Sequence, residues 1–366
     1  LNKRFFRINF CLSEKAEEVL KELKNEGFEV FETEILDVFV VFEKNQKISS
    51  SKMYLEGKIY IQDISSQLPM KFLNLKRDGF HLDISASPGS KTTQGSSILQ
   101  NSGVIIANDP TKNRFLKLLE NLNFQHTKNV LPISIRGETF SDFFQNFFDT
   151  AIADPPCSSL GRSCSLKWFP KKSKILAITQ EKILKNAFLS LKNGGEMIYS
   201  TCTIRPEENE AVIENFLRKF SDKCELVDLR EDFKKIINKK IFLQSQDDNN
   251  EKVSSFYYDE NIKSYLKEHF LEDFSQKRER YKKIRDEIWE KTLTIQNLGE
   301  GFFIAKIKKI KETFSSKPEK KIFCKIENFE KNPTHSIFFF NGKGVKIENA
   351  LWRILEKRFE NRNVGR

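Results

Sequence analysis

The chain has little of what marks several common kinds of site. Its 366 residues hold six cysteines and four histidines. No Cys-x-x-Cys pair occurs, and the histidines are scattered at 81, 126, 269 and 335. This argues against a disulfide scaffold and a structural zinc site, so no metal is expected. Neither G-x-G-x-x-G nor a phosphate-loop pattern is present, which weakens dinucleotide and ATP readings. There is no long apolar run and no signal-peptide pattern. No membrane partner is therefore expected, and a reducing, cytoplasmic setting is. Glycine is scarce, with 15 residues, and no internal repeat is evident.

Charge and phenylalanine, by contrast, are plentiful. Charged residues make up 31% of the chain, the net charge is +11 and the pI is about 9.1. A basic balance of this size favours a polyanion, most often nucleic acid, although a lysine-rich composition gives the same number. Of the 34 phenylalanines, many must fill a core, so they do not by themselves mark stacking on bases. The length suffices for two or three domains.

Residues 1–50 read as a small α/β unit, with a strand at 5–10, a helix at 13–26 capped by Ser13, and a strand at 38–42. The run Ser49-Ser50-Ser51 marks a boundary. Residues 51–312 then alternate strand and helix. Strands are expected at 79–84, 104–108, 129–135, 148–153, 196–200, 225–229 and 302–307. Helices are expected from about Thr92, at 112–122, at 173–191 ended by Asn193-Gly194-Gly195, and at 207–220. This alternation predicts an α/β, doubly wound, mostly parallel sheet. The charged stretch 259–291 is helix-prone, and its basic run is a solvated helix face or an RNA-facing surface. Residues 313–366 form a basic accessory segment with a strand at 336–340 and a helix at 348–359.

The first strand leads into Asp83-Ile84-Ser85-Ala86-Ser87-Pro88-Gly89-Ser90-Lys91-Thr92. Small residues here let a ligand approach the backbone, and the helix start offers free N–H groups to a carboxylate. Asp109 ends the second strand, where an acid can accept hydrogen bonds from both ribose hydroxyls. Each feature alone is often only structural. At the ends of neighbouring strands they indicate an adenosine-bearing cofactor with a carboxylate tail, which S-adenosyl-L-methionine fits. Lys91 either pairs with that carboxylate or orients Asp154.

Two cysteines occupy matched positions. Cys157 lies in Asp154-Pro155-Pro156-Cys157-Ser158-Ser159-Leu160-Gly161. Cys202 lies in Tyr199-Ser200-Thr201-Cys202-Thr203-Ile204-Arg205-Pro206-Glu207-Glu208-Asn209-Glu210. Both follow apolar runs, so both are expected at carboxyl ends of strands, where open α/β sheets place their chemistry. Two thiols in one crevice beside Asp154 suit covalent attack on a pyrimidine. The bland alternative is a pair of buried thiols. Cys11, Cys224 and Cys324 read as plain buried thiols, and Cys164 as a bystander. Arg162, Lys167 and Trp168, with Lys171 and Lys172, can contact phosphate and stack on a base, or form an ordinary basic loop.

Taken in order, these blocks resemble the RsmB/NOP2/Sun family of RNA cytosine-5 methyltransferases over about 57–309. The resemblance rests on Gly57-x4-Gln62-Asp63-x-Ser65-Ser66, the Asp83–Thr92 turn, Asp109-x4-Arg114 and Asp154-Pro-Pro-Cys157-Ser. It continues through Gly194-Gly195, Ser200-Thr201-Cys202, Pro206-Glu-Glu-Asn-Glu210 and Gly301-Phe302-Phe303-Ile304-Ala305. It implies a seven-stranded, Rossmann-like class I methyltransferase sheet. It also implies methyl transfer from S-adenosyl-L-methionine to C5 of cytosine in structured RNA, ribosomal or transfer, by a monomer. In that scheme Cys202 attacks C6, Cys157 assists release and Asp154 stabilises charge on the ring. Ser85, Ala86, Ser87, Pro88, Gly89, Ser90, Lys91, Asp109 and Asp154 line the cofactor. Residues 1–50, with Arg7-Ile8-Asn9, resemble a small RNA-binding extension, so Arg7 is expected on RNA.

The chain departs from the family at three places. Ser90 stands where a second glycine is usual, Arg136-Gly137 replaces an expected Asp-Gly, and a Pro-His before the last strand is missing. Two rival readings follow. One is an exocyclic-amine methyltransferase, in which Asp-Pro-Pro is also found but is followed by an aromatic residue, and which has no use for Cys202. The other is a non-catalytic RNA-binding or ribosome-assembly protein of the same fold.

Overall fold

The computed structural model describes residues 2–159, 170–203, 205–236, 284, 287–288, 291–297 and 300–313, with three further strands at 324–327, 335–340 and 343–348.

The amino-terminal unit is a four-stranded antiparallel sheet. It contains β1 (Asn2–Ile8), α1 (Ala16–Asn25), β2 (Val30–Glu32), β3 (Phe39–Glu43), the short α2 (Lys52–Leu55) and β4 (Ile59–Ile61), in strand order β2-β3-β1-β4. Alternation along β1 turns Phe6 and Ile8 inward, and α1 adds Val19 and Leu23, one turn apart on one helix face. The expected Ser13 cap does not form, because α1 begins after Lys15 without a side-chain cap. The serine run does not end this sheet either. Ser51 caps α2 by accepting from the Tyr54 N–H, and the chain returns as β4 beside β1.

After α3 (Ile64–Lys71) comes the doubly wound sheet. Its elements are β5 (Phe80–Asp83), α4 (Ser90–Leu99), β6 (Val104–Asn108), α5 (Lys112–Phe124), β7 (Val130–Ile133), β8 (Phe148–Ala153), α6 (Pro170–Ser190), β9 (Leu191–Thr201), α7 (Glu210–Phe220), β10 (Cys224–Val227), α8 (Leu229–Ile236), β11 (Leu293–Asn297) and β12 (Glu300–Lys309). The strand order is β10-β12-β9-β8-β5-β6-β7. The pairs from β9 to β7 are parallel, and β12 is antiparallel to both β9 and β10. This is the expected seven-stranded sheet, Rossmann-like and class I in order. An eighth strand, β11, was not anticipated. It pairs with the first half of β12 while β10 pairs with the second half.

Of the boundaries that differ from the sequence expectation, three have a local cause. Helix α4 starts at Ser90 rather than Thr92, because Gly89, at φ +109°, serves as its cap. Helix α6 ends at Ser190, and β9 begins at once. Asn193-Gly194-Gly195 is therefore an irregular stretch of β9, where the register with β8 shifts, rather than a helix stop. Helix α7 begins at Glu210, since Pro206–Asn209 form a turn first.

The core lies on both faces of this sheet. On one side Phe140, Phe144, Phe147 and Phe148 pack ring against ring at 5.0–5.4 Å for successive neighbours. Much of the phenylalanine surplus is spent in this way, on edge-to-face and stacked contacts that add to area burial. Further along, β13 (Cys324–Glu327), β14 (His335–Phe340) and β15 (Lys343–Glu348) form a small antiparallel sheet. The helix expected at 348–359 and the basic run within 259–291 lie outside the described residues.

The order of the strands fixes where a site can form. From β5 the chain runs outward to β6 and β7, then returns to β8 on the other flank of β5. The carboxyl ends of β5 and β8 therefore border a crevice at the topological switch point, where open sheets bind ligands.

Candidate active site

On the β5 side of the crevice, the turn Ser85–Gly89 is held as a cradle. The Ala86 N–H donates to the Asn108 carbonyl at 2.8 Å. Arg114 Nη2 donates to the Ser87 carbonyl at 2.8 Å, Ser87 Oγ donates back to the Arg114 carbonyl at 2.7 Å, and Asn121 Nδ2 donates to the Pro88 carbonyl at 2.8 Å. These bonds occupy carbonyls and leave the first N–H groups of α4 without intrahelical acceptors. Asp109, just past β6, is buried. Its two oxygens accept from Arg114 Nε at 2.9 Å and the Thr111 N–H at 3.0 Å. A carboxylate has about four acceptor sites, so capacity for hydroxyl donors remains.

Asp83, at the end of β5, is fully buried. Thr92 Oγ1 donates to one of its oxygens at 2.7 Å, while the other, Oδ1, has no protein partner. Burial pushes its carboxyl up to about 6, against the hydrogen bond from Thr92. An orphan acceptor beside a cradle of small residues and free N–H groups fits the ammonium, carboxylate and ribose of S-adenosyl-L-methionine. The expected Ser85, Ala86, Ser87, Pro88 and Gly89 lie on this turn, and Ser90 opens α4. Arg136, at the position of the expected acid, is exposed and 3.4 Å from Glu138.

Lys91 crosses the crevice. Its ammonium is 2.6 Å from Asp154 Oδ2 and 3.4 Å from Ser66 Oγ. Ser200 Oγ donates to Asp154 Oδ1 at 3.0 Å. Of the two roles open to Lys91, the structure shows the orientation of Asp154. The carboxylate is thus fixed from both sides by α4 and β9.

The two cysteines meet. Strands β8 and β9 are parallel neighbours, so loops leaving their carboxyl ends emerge side by side. Cys157 Sγ and Cys202 Sγ are 3.1 Å apart, both half-buried. The Cys157 thiol is pushed far above its ordinary range, first by its contact with the Cys202 sulfur and then by burial.

Sequence reasoning missed what supports these loops. Glu208, fully buried, accepts through Oε2 from the Ser158 N–H at 2.9 Å and from Gln180 Nε2 at 3.0 Å. Gln180 Nε2 also reaches the Pro156 carbonyl at 2.9 Å. Asn209 Nδ2 donates to the Thr203 carbonyl at 2.9 Å, and Ser158 Oγ lies 3.0 Å from Thr203 Oγ1. One acid from the Pro206–Glu210 block thus ties the Cys157 loop to α6, and its neighbour Asn209 shapes the Cys202 loop. Glu208 and Asn209 stood in a recognised block. Gln180, a lone polar residue inside a helix, gave no signal.

Arg7 is corrected by the structure. It is 3% exposed and does not face a ligand in solution. Its Nε donates to Gln62 Oε1 at 2.9 Å, and Nη2 donates to Thr93 Oγ1 at 2.8 Å and the Ser90 carbonyl at 3.2 Å. The guanidinium also lies over the Tyr60 ring. It pins the amino-terminal sheet to the first turn of α4. Arg162, Lys167 and Trp168, with Cys164, lie outside the described residues, while Lys172 is exposed on α6. Among the described residues, no helix is long and apolar enough to cross a membrane.

Comparison with known proteins agrees with this geometry. A family model described as 16S rRNA methyltransferase RsmB/F matches residues 70–308. Ribosomal RNA small subunit methyltransferase F of Pectobacterium carotovorum subsp. carotovorum is 35% identical over 198 residues, covering 52% of this chain and 41% of that protein. The protein of the same name from Aeromonas salmonicida is 34% identical over 200 residues, covering 52% and 42%. The chain thus spans about two fifths of the length of these curated relatives. Among solved structures, a methyltransferase homolog protein from Pyrococcus horikoshii superposes with a TM-score of 0.62 at 25% identity, over 84% of this chain and 86% of that one. NSun6 from the same organism, solved with SFG, gives 0.63 at 20% identity over 85% and 91%, a likeness of fold. With the family model spanning more than half of its length, the chain belongs to the RsmB/F family of 16S rRNA methyltransferases.

Proposed function

We propose that this chain transfers a methyl group from S-adenosyl-L-methionine to C5 of a cytosine in structured RNA, ribosomal RNA first and transfer RNA second, through a transient bond between Cys202 and C6. The observation that carries this reading is the 3.1 Å approach of the two sulfurs beside an oriented Asp154. A methyltransferase acting on an exocyclic amine has no role for such a pair.

When bound, S-adenosyl-L-methionine supplies a methyl group on a sulfonium. Everything else falls to the chain. Cytosine C5 is a weak nucleophile, and adding a thiolate at C6 makes it enamine-like. The sulfur pair is suited to this in the state where Cys157, pushed upward by the neighbouring sulfur and by burial, holds the one proton and Cys202 is the thiolate. Asp154, held by Lys91 and Ser200, accepts from the N4 amine and shares a proton with N3, which takes up the charge arriving on the ring. Once its own proton has left for solvent, Cys157 takes the C5 proton, and the electrons of that C–H bond expel Cys202. Because both thiols are half-buried, the target base must be unstacked to reach them. The segment with Arg162, Lys167 and Trp168, which follows Cys157 in sequence, supplies the residue types for backbone and base contacts.

The test is methylation of in vitro-transcribed 16S rRNA, digested to nucleosides and resolved by mass spectrometry. The reading expects 5-methylcytidine. N4-methylcytidine would establish the exocyclic-amine rival instead. Absence of product together with absence of S-adenosyl-L-methionine binding in calorimetry would leave a ribosome-assembly role.

A further inference from the structure

Ser159 sits two residues beyond Cys157 with φ of +54°, in the left-handed region that non-glycine residues rarely occupy. Such outliers persist where the surroundings impose them and cluster at functional sites. What this conformation achieves is visible in its contacts. Cys202 Sγ donates to Ser159 Oγ at 3.5 Å, and Cys157 Sγ lies 3.9 Å from the same oxygen, so one hydroxyl oxygen is within hydrogen-bond reach of both thiols. Its backbone N–H is also directed at the Cys157 sulfur. The residue is exposed, so one hydroxyl touches both sulfurs on one side and water on the other.

The reaction cycle has a step that needs such a group. In the reactive state, with the Cys202 thiol deprotonated, the pair holds one proton, as Cys157–SH beside Cys202–S⁻. Cys202 then bonds to C6, and C5 gains its methyl group. At that stage Cys157 still carries its proton and cannot act as a base. One proton must leave Cys157 for solvent before Cys157–S⁻ can take the proton from C5. When it does, the C6–S bond breaks and its electron pair returns to Cys202, restoring Cys157–SH beside Cys202–S⁻. The proton released midway is the one the net methylation must shed, so the cycle balances. The direct route from Cys157 to Cys202 is closed at that moment, because the Cys202 sulfur is bonded to the ring.

We propose that Ser159 is a catalytic residue that carries this proton, its oxygen accepting from the Cys157 thiol while its own hydroxyl proton passes to water. The proposal rests on the covalent reading of the pair given above. The groups facing Cys157 are Cys202 from the β9 loop, Asp154 on its own loop and Tyr199 of β9, with Lys91 of α4 reaching it only through Asp154. Of these, Asp154 is committed to Lys91 and Ser200, and the Tyr199 hydroxyl is committed to the Glu208 carbonyl.

The experiment compares wild type, Ser159→Ala and Ser159→Gly in a single turnover on in vitro-transcribed 16S rRNA, following 5-methylcytidine and denaturation-stable protein–RNA adduct. Both variants are expected to form methylated adduct normally and release it about tenfold more slowly or worse. Adduct should accumulate, and the deficit should narrow as pH rises from 7 to 9, where hydroxide takes the thiol proton directly. Adduct levels and release rates equal to wild type in both variants would overturn the proposal. So would full recovery in Ser159→Gly alone, which would assign the effect to the backbone. A second readout needs no RNA: alkylation of Cys157 by iodoacetamide in a Cys202→Ala background should shift to higher pH without the hydroxyl, and an unshifted profile counts equally against the idea. If wild type itself forms neither 5-methylcytidine nor adduct, the covalent reading fails instead.

Discussion

The two flanks of the crevice are built on different terms. On the β5–β6 flank the backbone itself is the site. Arg114 and Asn121 of α5 grip the turn carbonyls, and Asp83 and Asp109 are both nearly sealed from water. On the β8–β9 flank the reactive atoms stand half in water, and the rigidity comes from behind, through buried Glu208 and Gln180. A small cofactor can be enclosed by a preformed cradle, whereas a nucleotide in a large RNA must be presented from outside. One flank is therefore organised for enclosure and the other for access with fixed geometry. The difference predicts that mutations should separate binding from chemistry.

The sharpest separation is Cys202→Ser. Methyl transfer to RNA should fall by roughly three orders of magnitude or more, while the calorimetric Kd for S-adenosyl-L-methionine stays within twofold. A large loss of cofactor affinity would show that the flanks are not distinct. Next in size is Glu208→Ala. It strands the Ser158 N–H and the Gln180 amide in a buried place, at about 2 kcal/mol for the pair after solvent readjustment, read by chemical denaturation. Glu208→Gln keeps an acceptor and should cost less. If the two variants were equal, the hydrogen bonds would not be what holds the cysteine loop. On the opposite flank, Arg114→Leu removes the grip on Ser87 and Asp109. It should weaken cofactor binding by about tenfold, or ~1.4 kcal/mol, with the RNA concentration dependence unmoved.

How much of this was legible beforehand follows the same division. Strands 104–108 and 148–153 matched the structure residue for residue, because central parallel strands are continuous apolar runs bounded by turns. The cysteine pair was legible because each thiol lies within four residues of the end of such a run. The eighth strand β11 was not, since its sequence Leu-Thr-Ile-Gln-Asn is short and follows a long charged stretch. Gly194-Gly195 misled because a glycine pair marks a helix end and a strand irregularity equally well. Arg7 misled for a deeper reason. An arginine in a basic chain reads as a ligand for phosphate, and only tertiary structure shows it closed over by Tyr60, Gln62 and α4. Gln180 and Ser200 act across long sequence separations on loops they do not belong to, and nothing in local pattern encodes that.

The most gradual effect concerns β5 alone, where the two kinds of burial sit two residues apart. His81 is buried, hydrogen-bonded to Thr150 Oγ1 at 2.8 Å and the Lys76 carbonyl at 2.9 Å, and burial lowers its pKa below 6.5. The unfolded chain therefore takes that proton first, and the stability His81 contributes is present above pH 6.5 and lost as pH falls below it. Asp83 has the opposite sign. With its carboxyl raised from 3.8 to about 6 by burial, the folded state holds a proton the unfolded chain has released. Its contribution is complete below pH 3.8 and lost as pH rises to about 6. Between pH 4 and 6 the two slopes oppose each other. Replacing His81 by Gln, which keeps polar partners but cannot titrate, should unmask the Asp83 slope. Denaturation midpoints of His81→Gln should then fall as pH rises from 4 to 6, by no more than about 1.4 kcal/mol per pH unit. Adding saturating S-adenosyl-L-methionine should flatten that fall if the orphan Asp83 oxygen accepts from the cofactor. A slope untouched by cofactor would place Asp83 outside the enclosed flank's binding surface.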